Sequence, residues 1–83
     1  MTAQLRYLGH ACYSLNLDGQ LLLFDPFLSN NPDAVIKPDE IDPDYILVTH
    51  GHSDHLGDTI PIAKKSDATV ISVNEIVVWL RER

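Results

Sequence analysis

The chain has 83 residues and a mass of 9.3 kDa, which is enough for one small hydrophobic core but short for a complete enzyme domain. Its 45% hydrophobic and 22% charged residues are ordinary for a soluble globular protein, with no low-complexity stretch or internal repeat. A net charge of −6 without a lysine or arginine cluster disfavours nucleic-acid binding, and no apolar run approaches the roughly 20 residues of a membrane span.

The first 25 residues predict an antiparallel meander. Residues 4–8 and 12–17 alternate as strands, and Asp18-Gly19 is typical of a tight hairpin turn into a third strand over residues 20–25. The only cysteine, Cys12, fits a reducing compartment, and we favour a buried packing role over a thiol nucleophile or a metal ligand. Four prolines within residues 26–43 predict an irregular loop whose acidic residues are solvated turn positions.

A strand predicted over residues 44–49 leads into His50-Gly51-His52-Ser53-Asp54-His55. Three imidazoles and a carboxylate within six residues are metal ligands, because imidazole suits zinc and iron whereas carboxylate suits harder ions. In an extended loop His50 and His52 point the same way, while Asp54 and His55 turn to a neighbouring position. The set can then divide between two adjacent cations. A catalytic zinc usually has three protein ligands, and no histidine follows His55, so this chain provides half a site.

The remaining residues predict a helix, a strand and a second helix. The first helix starts at Asp58 or Thr59, has Pro61 in its first turn and ends at residues 66–67. A buried strand over residues 68–73 follows, and Asn74 is the predicted N-cap of a helix over residues 75–83. The β-branched run Ile76-Val77-Val78 is equally compatible with a strand in place of this helix. The metal loop therefore lies between a strand and a helix, at the edge where α/β proteins place their sites.

The stretch from His50 to His55 resembles the HxHxDH signature of the metallo-β-lactamase fold superfamily of metal-dependent hydrolases. The resemblance implies that His50 and His52 bind one metal and that Asp54 and His55 bind the second. It also implies an α/β fold in which residues 1–83 form the N-terminal half of a four-layer αβ/βα sandwich. The rest of that single domain, with the remaining ligands, would lie downstream of the motif.

Two earlier segments resemble a narrower branch, the hydrolases related to ascorbate-6-phosphate lactonase. They are Tyr7-Leu8-Gly9-His10-Ala11 and Leu23-Phe24-Asp25-Pro26-Phe27-Leu28. For Asp25 we favour the role that the resemblance implies, an anchor that orients the metal loop, over a plain turn residue. For His10 two interpretations are equal: a satisfied histidine at a strand end, or a residue near the substrate that donates to a leaving group.

The expected function is metal-dependent hydrolysis. Two divalent ions, zinc or alternatively manganese, would bridge a water that attacks an ester, lactone, amide or phosphodiester, and the resemblance implies that Asp54 holds the bridging hydroxide. A di-iron oxidoreductase on the same ligands is ranked lower. An alternative of another class is a non-catalytic fragment or structural module that assembles with a partner chain and whose metals are vestigial.

The expected partners follow from the half site. We expect a complementary C-terminal segment or chain, a small-molecule substrate and a possible oligomer, with neither a membrane nor a nucleic acid as partner. The chain would be a truncation, a proteolytic half or a natural short form, and in isolation it would aggregate or associate. Residues 1–4 lead directly into a strand pattern without a signal peptide, so the expected location is cytoplasmic.

Overall fold

A mixed β-sheet organises the chain. The structure, a computed structural model, describes residues 2–49 and 51–83, except for the side chains of Ser53 and Asp54. Within these residues the sheet has five strands, which are adjacent in sequence order. They are β1 (Ala3–Gly9), β2 (Cys12–Leu17), β3 (Gln20–Phe24), β4 (Tyr45–Leu47) and β5 (Thr69–Ile71).

The sheet combines an antiparallel meander with two parallel pairings. β1, β2 and β3 pair antiparallel, whereas β4 pairs parallel to both β3 and β5. Asp18 and Gly19 join β2 to β3 with φ values of 50° and 87°, the left-handed conformations that a two-residue hairpin turn requires. The predicted meander and the α/β fold class are confirmed.

The helices follow the fourth strand. The sheet is accompanied by a short 3-10 helix (Pro38–Glu40), α1 (Ser53–Leu56), α2 (Thr59–Ser66) and α3 (Asn74–Arg81). Asp58 is the N-cap of α2, Pro61 lies in its first turn and Asp67 ends it with a left-handed φ of 58°, as predicted. Among the described residues no helix has the length and apolar character needed to cross a membrane.

Two predictions about the last elements are wrong. β5 is not a buried strand over residues 68–73, because it pairs with β4 alone and exposes Thr69 and Ile71 at the margin of the sheet. Asn74 is not the N-cap of α3 but its first residue, and Val73, with extended φ and ψ of −68° and 156°, occupies the cap position. The local sequence predicts that α3 is present, but not the residue at which its hydrogen bonds begin.

The prediction of an extended metal loop is also wrong from Ser53 onward. The His52 carbonyl accepts hydrogen bonds from the backbone N–H groups of His55, at 2.9 Å, and Leu56, at 2.8 Å. These bonds close one helical turn, α1, so the spacing argument for an extended backbone does not hold for this part of the motif. The prediction for His50 lies outside the described residues.

One face of the sheet is covered and contains the core. Leu8, Cys12, Leu23 and Ile46 are fully buried on this face, and Ile62 of α2 belongs to the same cluster. The partly buried Ala63 and Val70 pack against it. Burial of these side chains holds α2 and the following strand against the meander.

The opposite face, called the open face below, is apolar but half exposed. Strand register aligns two rows of side chains across it, and Tyr7 and Tyr13 are in ring contact at 5.1 Å between centroids. Leu5 is 65% exposed and Tyr45 37% exposed. The open face consists of Leu5, Leu15, Leu22, Tyr45 and Thr69 in one row and Tyr7, Tyr13, Phe24, Leu47 and Ile71 in the other, so Thr69 is the one polar residue of the first row.

The turn between α1 and α2 packs directly on the loop after β3. Gly57 has a φ of +44°, and a Cβ at this position would lie 2.5 Å from the Pro26 carbonyl oxygen and 2.6 Å from Phe27 Cα. Both contacts are with backbone, which cannot move aside as a flexible side chain can. Only glycine fits this approach.

We therefore expect Gly57→Ala to lower the free energy of unfolding by about 3 kcal/mol or more, since a left-handed φ and a backbone clash are imposed together. Gly19→Ala is the matched control, because its φ is also positive but nothing lies within 4 Å of the added Cβ. It should cost only about 1–2 kcal/mol. Urea denaturation at one protein concentration measures both, and equal losses would contradict the packing argument.

Candidate metal centre

The site lies where the parallel strands β3 and β4 end. Parallel strands bring their carboxyl ends to the same edge, so Asp25, which follows β3, is adjacent to Thr49, which follows β4. The Asp25 backbone N–H donates to the Leu47 carbonyl at 2.9 Å and continues the pairing of the two strands. The HxHxDH motif begins at the next residue after Thr49.

Asp25 is the best-connected side chain of the site. It is 4% exposed, and its two carboxylate oxygens accept three hydrogen bonds. Oδ1 accepts the Thr49 backbone N–H at 2.7 Å, and Oδ2 accepts the Thr49 hydroxyl at 2.9 Å and the His55 ring at 3.0 Å. These bonds compensate for burial of the carboxylate. They also join the end of β4 to the helical turn that carries His55.

The bond to Asp25 fixes the orientation of the His55 imidazole. A carboxylate accepts hydrogen bonds, so His55 Nδ1 carries the proton and the tautomer places the ring's lone pair on Nε2. A histidine that binds a metal through one ring nitrogen usually donates the other to a carboxylate or a carbonyl in this way. The contact is therefore the arrangement that metal ligation by His55 Nε2 requires.

His10 lies beside His55. The centroids of the two imidazole rings are 5.8 Å apart, and the His10 ring also makes an edge contact with Phe27 at 5.8 Å. His10 and Asp25 both have left-handed backbones, with φ of 57° and 46°. Non-glycine residues in this conformation cost free energy and cluster at functional sites. The hairpin end thus places an exposed imidazole next to the metal motif.

The four motif ligands are described only in part. His52 is exposed and begins the turn that carries His55. The predictions for His50 and for the Asp54 side chain lie outside the described residues. In the described part of the chain no group of three or more His, Cys, Asp or Glu side chains is arranged to hold a metal ion. The division of the ligands between two metals stays a prediction.

Cys12 lies beneath this site on the covered face. Burial, together with the nearby negative charges of Asp25 and Asp58, raises the pKa of its thiol to about 12. The thiol is therefore protonated at neutral pH and is no nucleophile. Its complete burial agrees with the packing role that we favoured.

Three residues of the site were missed from the sequence: Thr49, Phe27 and Asp58. Thr49 ends an apolar run just before the motif, and that position was the only available signal for it. Phe27 was noted only as part of the segment from Leu23 to Leu28 and Asp58 only as a helix start, and neither signal indicates the contacts made in the site. The partners of Asp58 are the backbone N–H groups of Leu28 and Ser29, 30 and 29 positions away. Such contacts depend on the tertiary fold and leave no local pattern.

Comparison with known proteins identifies the family to which this architecture corresponds. Residues 5–83 match the family model described as Metallo-beta-lactamase superfamily. The chain is 51% identical over 76 residues to a UPF0173 metal-dependent hydrolase of Methanopyrus kandleri, covering 92% of the chain and 33% of that relative. A UPF0173 metal-dependent hydrolase of Carboxydothermus hydrogenoformans is 56% identical over 77 residues, covering 93% of the chain and 34% of the relative. The chain thus spans about a third of the length of these curated relatives.

Solved structures show the same fold. Igni18, described as a novel metallo hydrolase from Ignicoccus hospitalis, superposes with a TM-score of 0.89 and 30% identity over 99% of this chain and 36% of that protein. A variant of the CmlA beta-hydroxylase superposes with a TM-score of 0.60 and 32% identity over 84% of this chain and 15% of that protein. The predicted resemblance and fold class are confirmed.

We expect Asp25→Ala to lower the free energy of unfolding by about 3 kcal/mol, because three donors in a buried place lose their charged acceptor. Asp25→Asn should cost less, since the amide keeps one acceptor oxygen. The control Thr49→Val removes only the hydroxyl bond and should cost about 1 kcal/mol. Chemical denaturation at fixed protein concentration compares the variants, and an Asp25→Ala protein as stable as the parent would refute the anchoring role.

Proposed function

The chain belongs to the metallo-beta-lactamase superfamily, and we propose that it provides one half of the metal centre of a hydrolase. The observation that carries this proposal is the contact between Asp25 Oδ2 and His55 Nδ1 at 3.0 Å. It orients an imidazole of the metal motif at the carboxyl edge of the parallel strands. The relatives' names, metal-dependent hydrolase, favour an enzyme over a non-catalytic module.

The proposed ligands are those of the motif. His50 and His52 would bind one divalent ion, and Asp54 and His55 a second, with zinc as the first choice and manganese as the alternative. The donor chemistry fits such ions, because imidazole nitrogen and carboxylate oxygen are their usual ligands. Asp25 would bind no metal itself. Its oxygens are already occupied by Thr49 and His55, so its role is to hold the His55 ring in place.

The proposed reaction is attack of water on an ester, lactone, amide or phosphodiester. Bound divalent ions supply Lewis acidity and lower the pKa of the attacking water. Asp54 would orient that water for attack. His10, whose ring lies 5.8 Å from that of His55, would face the substrate and donate a hydrogen bond to the leaving group.

We also propose that a complementary polypeptide completes the site. The chain corresponds to about a third of its relatives, and its open face presents half-exposed Leu5, Tyr7 and Tyr45. A groove of about 540 Å³ runs from this face to the site. It is lined by Leu5, Ala11, Tyr13, Phe24, Asp25 and Thr49. A polypeptide that covered the open face would therefore also reach the metal motif, where it could add the missing ligands.

We expect the chain, in complex with the complementary polypeptide, to bind zinc through the motif. His52→Ala and His55→Ala should each weaken zinc binding by about 100-fold or more, because each removes a direct ligand. His10→Gln is the matched control, since it removes an imidazole at the same edge that is not a proposed ligand. Equilibrium dialysis followed by elemental analysis measures the bound metal. Equal zinc in all four proteins, or iron as the metal retained preferentially, would argue against the proposed centre.

The open face can be tested with a heterologous partner. Mixed with the part of the Methanopyrus kandleri relative beyond the matched region, the chain should form a 1:1 complex that hydrolyses activated esters or phosphodiesters. Leu5→Glu should weaken the complex about 10–100-fold, because it places a charge on the open face. Arg6→Glu, on the opposite side of β1, should leave the affinity nearly unchanged. Sedimentation velocity gives the affinities, and identical values for both variants would exclude this surface.

A further inference from the structure

The loop after β3 is clamped to the turn between α1 and α2. Asp58 Oδ2 accepts the backbone N–H groups of Leu28 and Ser29, both at 2.8 Å. The Asp58 backbone N–H in turn donates to the Pro26 carbonyl at 2.8 Å. Three hydrogen bonds from one residue therefore hold the loop, and the adjacent Gly57 leaves no space between the two backbones.

The side-chain hydrogen bonds of Asp58 differ from those of an ordinary N-cap aspartate. An N-cap aspartate normally accepts a hydrogen bond from the second or third N–H of its own helix. Asp58 occupies the N-cap of α2, but its side chain makes no such bond. The carboxylate is directed instead to a loop about 30 positions earlier in the chain. Helix capping thus does not account for this side chain.

The clamped loop supports both imidazoles of the site. Asp25 and Phe27 lie on either side of Pro26, and the Phe27 N–H donates to the Asp25 carbonyl at 2.7 Å. Asp25 binds His55 Nδ1, and the Phe27 ring packs edge-on against His10. A displacement of residues 26–29 would therefore be transmitted to His55 through a hydrogen bond and to His10 through a ring contact.

We propose that Asp58 is a positioning residue of the metal centre, which sets the His55 and His10 rings by fixing the loop between Asp25 and Ser29. It contacts neither imidazole itself. The part of this proposal that concerns metal affinity rests on the proposed function, whereas the part that concerns the two rings does not.

The test compares three variants. Asp58→Ala removes the acceptor, and Asp58→Asn keeps one oxygen that can accept both N–H groups, as Oδ2 does alone. Asp44→Ala is the matched control, because Asp44 makes the same kind of clamp before β4, at the opposite end of the strand from the site. Its carboxylate accepts the Leu21 N–H at 2.8 Å, and its own N–H donates to the Leu21 carbonyl at 2.8 Å.

The first readout is the ¹⁵N–¹H spectrum of the histidine rings in the metal-free protein. We expect Asp58→Ala to shift the ring resonances of His55 and His10, Asp58→Asn to restore them, and Asp44→Ala to leave them in place. Unshifted rings in a folded Asp58→Ala protein, or equal shifts in Asp44→Ala, would overturn the proposal. Because no metal is present, this readout stands even if the proposed hydrolase centre fails.

The second readout is zinc affinity, measured in the 1:1 complex with the complementary part of the Methanopyrus kandleri relative. Asp58→Ala should raise the dissociation constant for zinc about 10–100-fold, as loss of support for a ligand does, while Asp58→Asn and Asp44→Ala stay within about twofold of the parent. A parent complex that binds no zinc would reject the proposed function and leave the ring result intact. If Asp58→Ala does not fold, amide exchange in the parent decides: slow exchange at Leu28 and Ser29 supports the clamp, and exchange as fast as in an open loop rejects it.

Discussion

The buried carboxylate of Asp25 is the constraint on which the site depends. A carboxylate that is 4% exposed must have its oxygens satisfied within the protein, and Thr49 and His55 do this from two different segments. The requirement acts in both directions. Thr49 and His55 are held in place because the buried carboxylate of Asp25 has no water to accept from. The carboxylate can stay buried because their hydrogen bonds replace those of water. A left-handed backbone at Asp25 persists only under such over-determination.

The two faces of the sheet have different roles around this carboxylate. The covered face supplies the packing that fixes the ends of β3 and β4, through Leu23 and Ile46. The open face is equally apolar yet half exposed, and its groove ends at Asp25 and Thr49. The proposed chemistry and the proposed assembly therefore meet at one edge of the sheet. A polypeptide cannot cover the open face fully without approaching the candidate metal centre.

The sequence predicted those features of the fold that depend on residues close together in the chain. Asp18-Gly19 predicted its turn because positive φ favours these residues, and Pro61 with Asp58 predicted the start of α2. The proposed ligand residues could likewise be chosen by type, since few other functions need three imidazoles and a carboxylate together. Their backbone was not, because ligand spacing alone does not distinguish an extended loop from the helical turn of α1.

The features that the sequence did not predict depend on contacts between residues far apart in the chain. Asp58 carries the composition of an N-cap, and nothing in its neighbourhood indicates that its oxygen is used by Leu28 and Ser29. The proximity of His10 to His55 likewise depends on how the meander meets the parallel strands. β5 was predicted as buried from its apolar residues, but burial also needs a neighbour on each side, and among the described residues the sheet provides only β4.

The contacts of this fold differ in how far apart their residues lie in the sequence, and this difference affects how the fold forms. The meander closes through short turns, whereas Asp25 meets Thr49 and His55 across 24 and 30 positions. The entropy lost on closing a loop grows with its length, so the contacts that define the site are the more costly ones to form. The meander can exist while the site is still open. A ligand bound between the meander and the helical turn would therefore stabilise non-local contacts of the chain, and its occupancy would become part of how completely the protein folds.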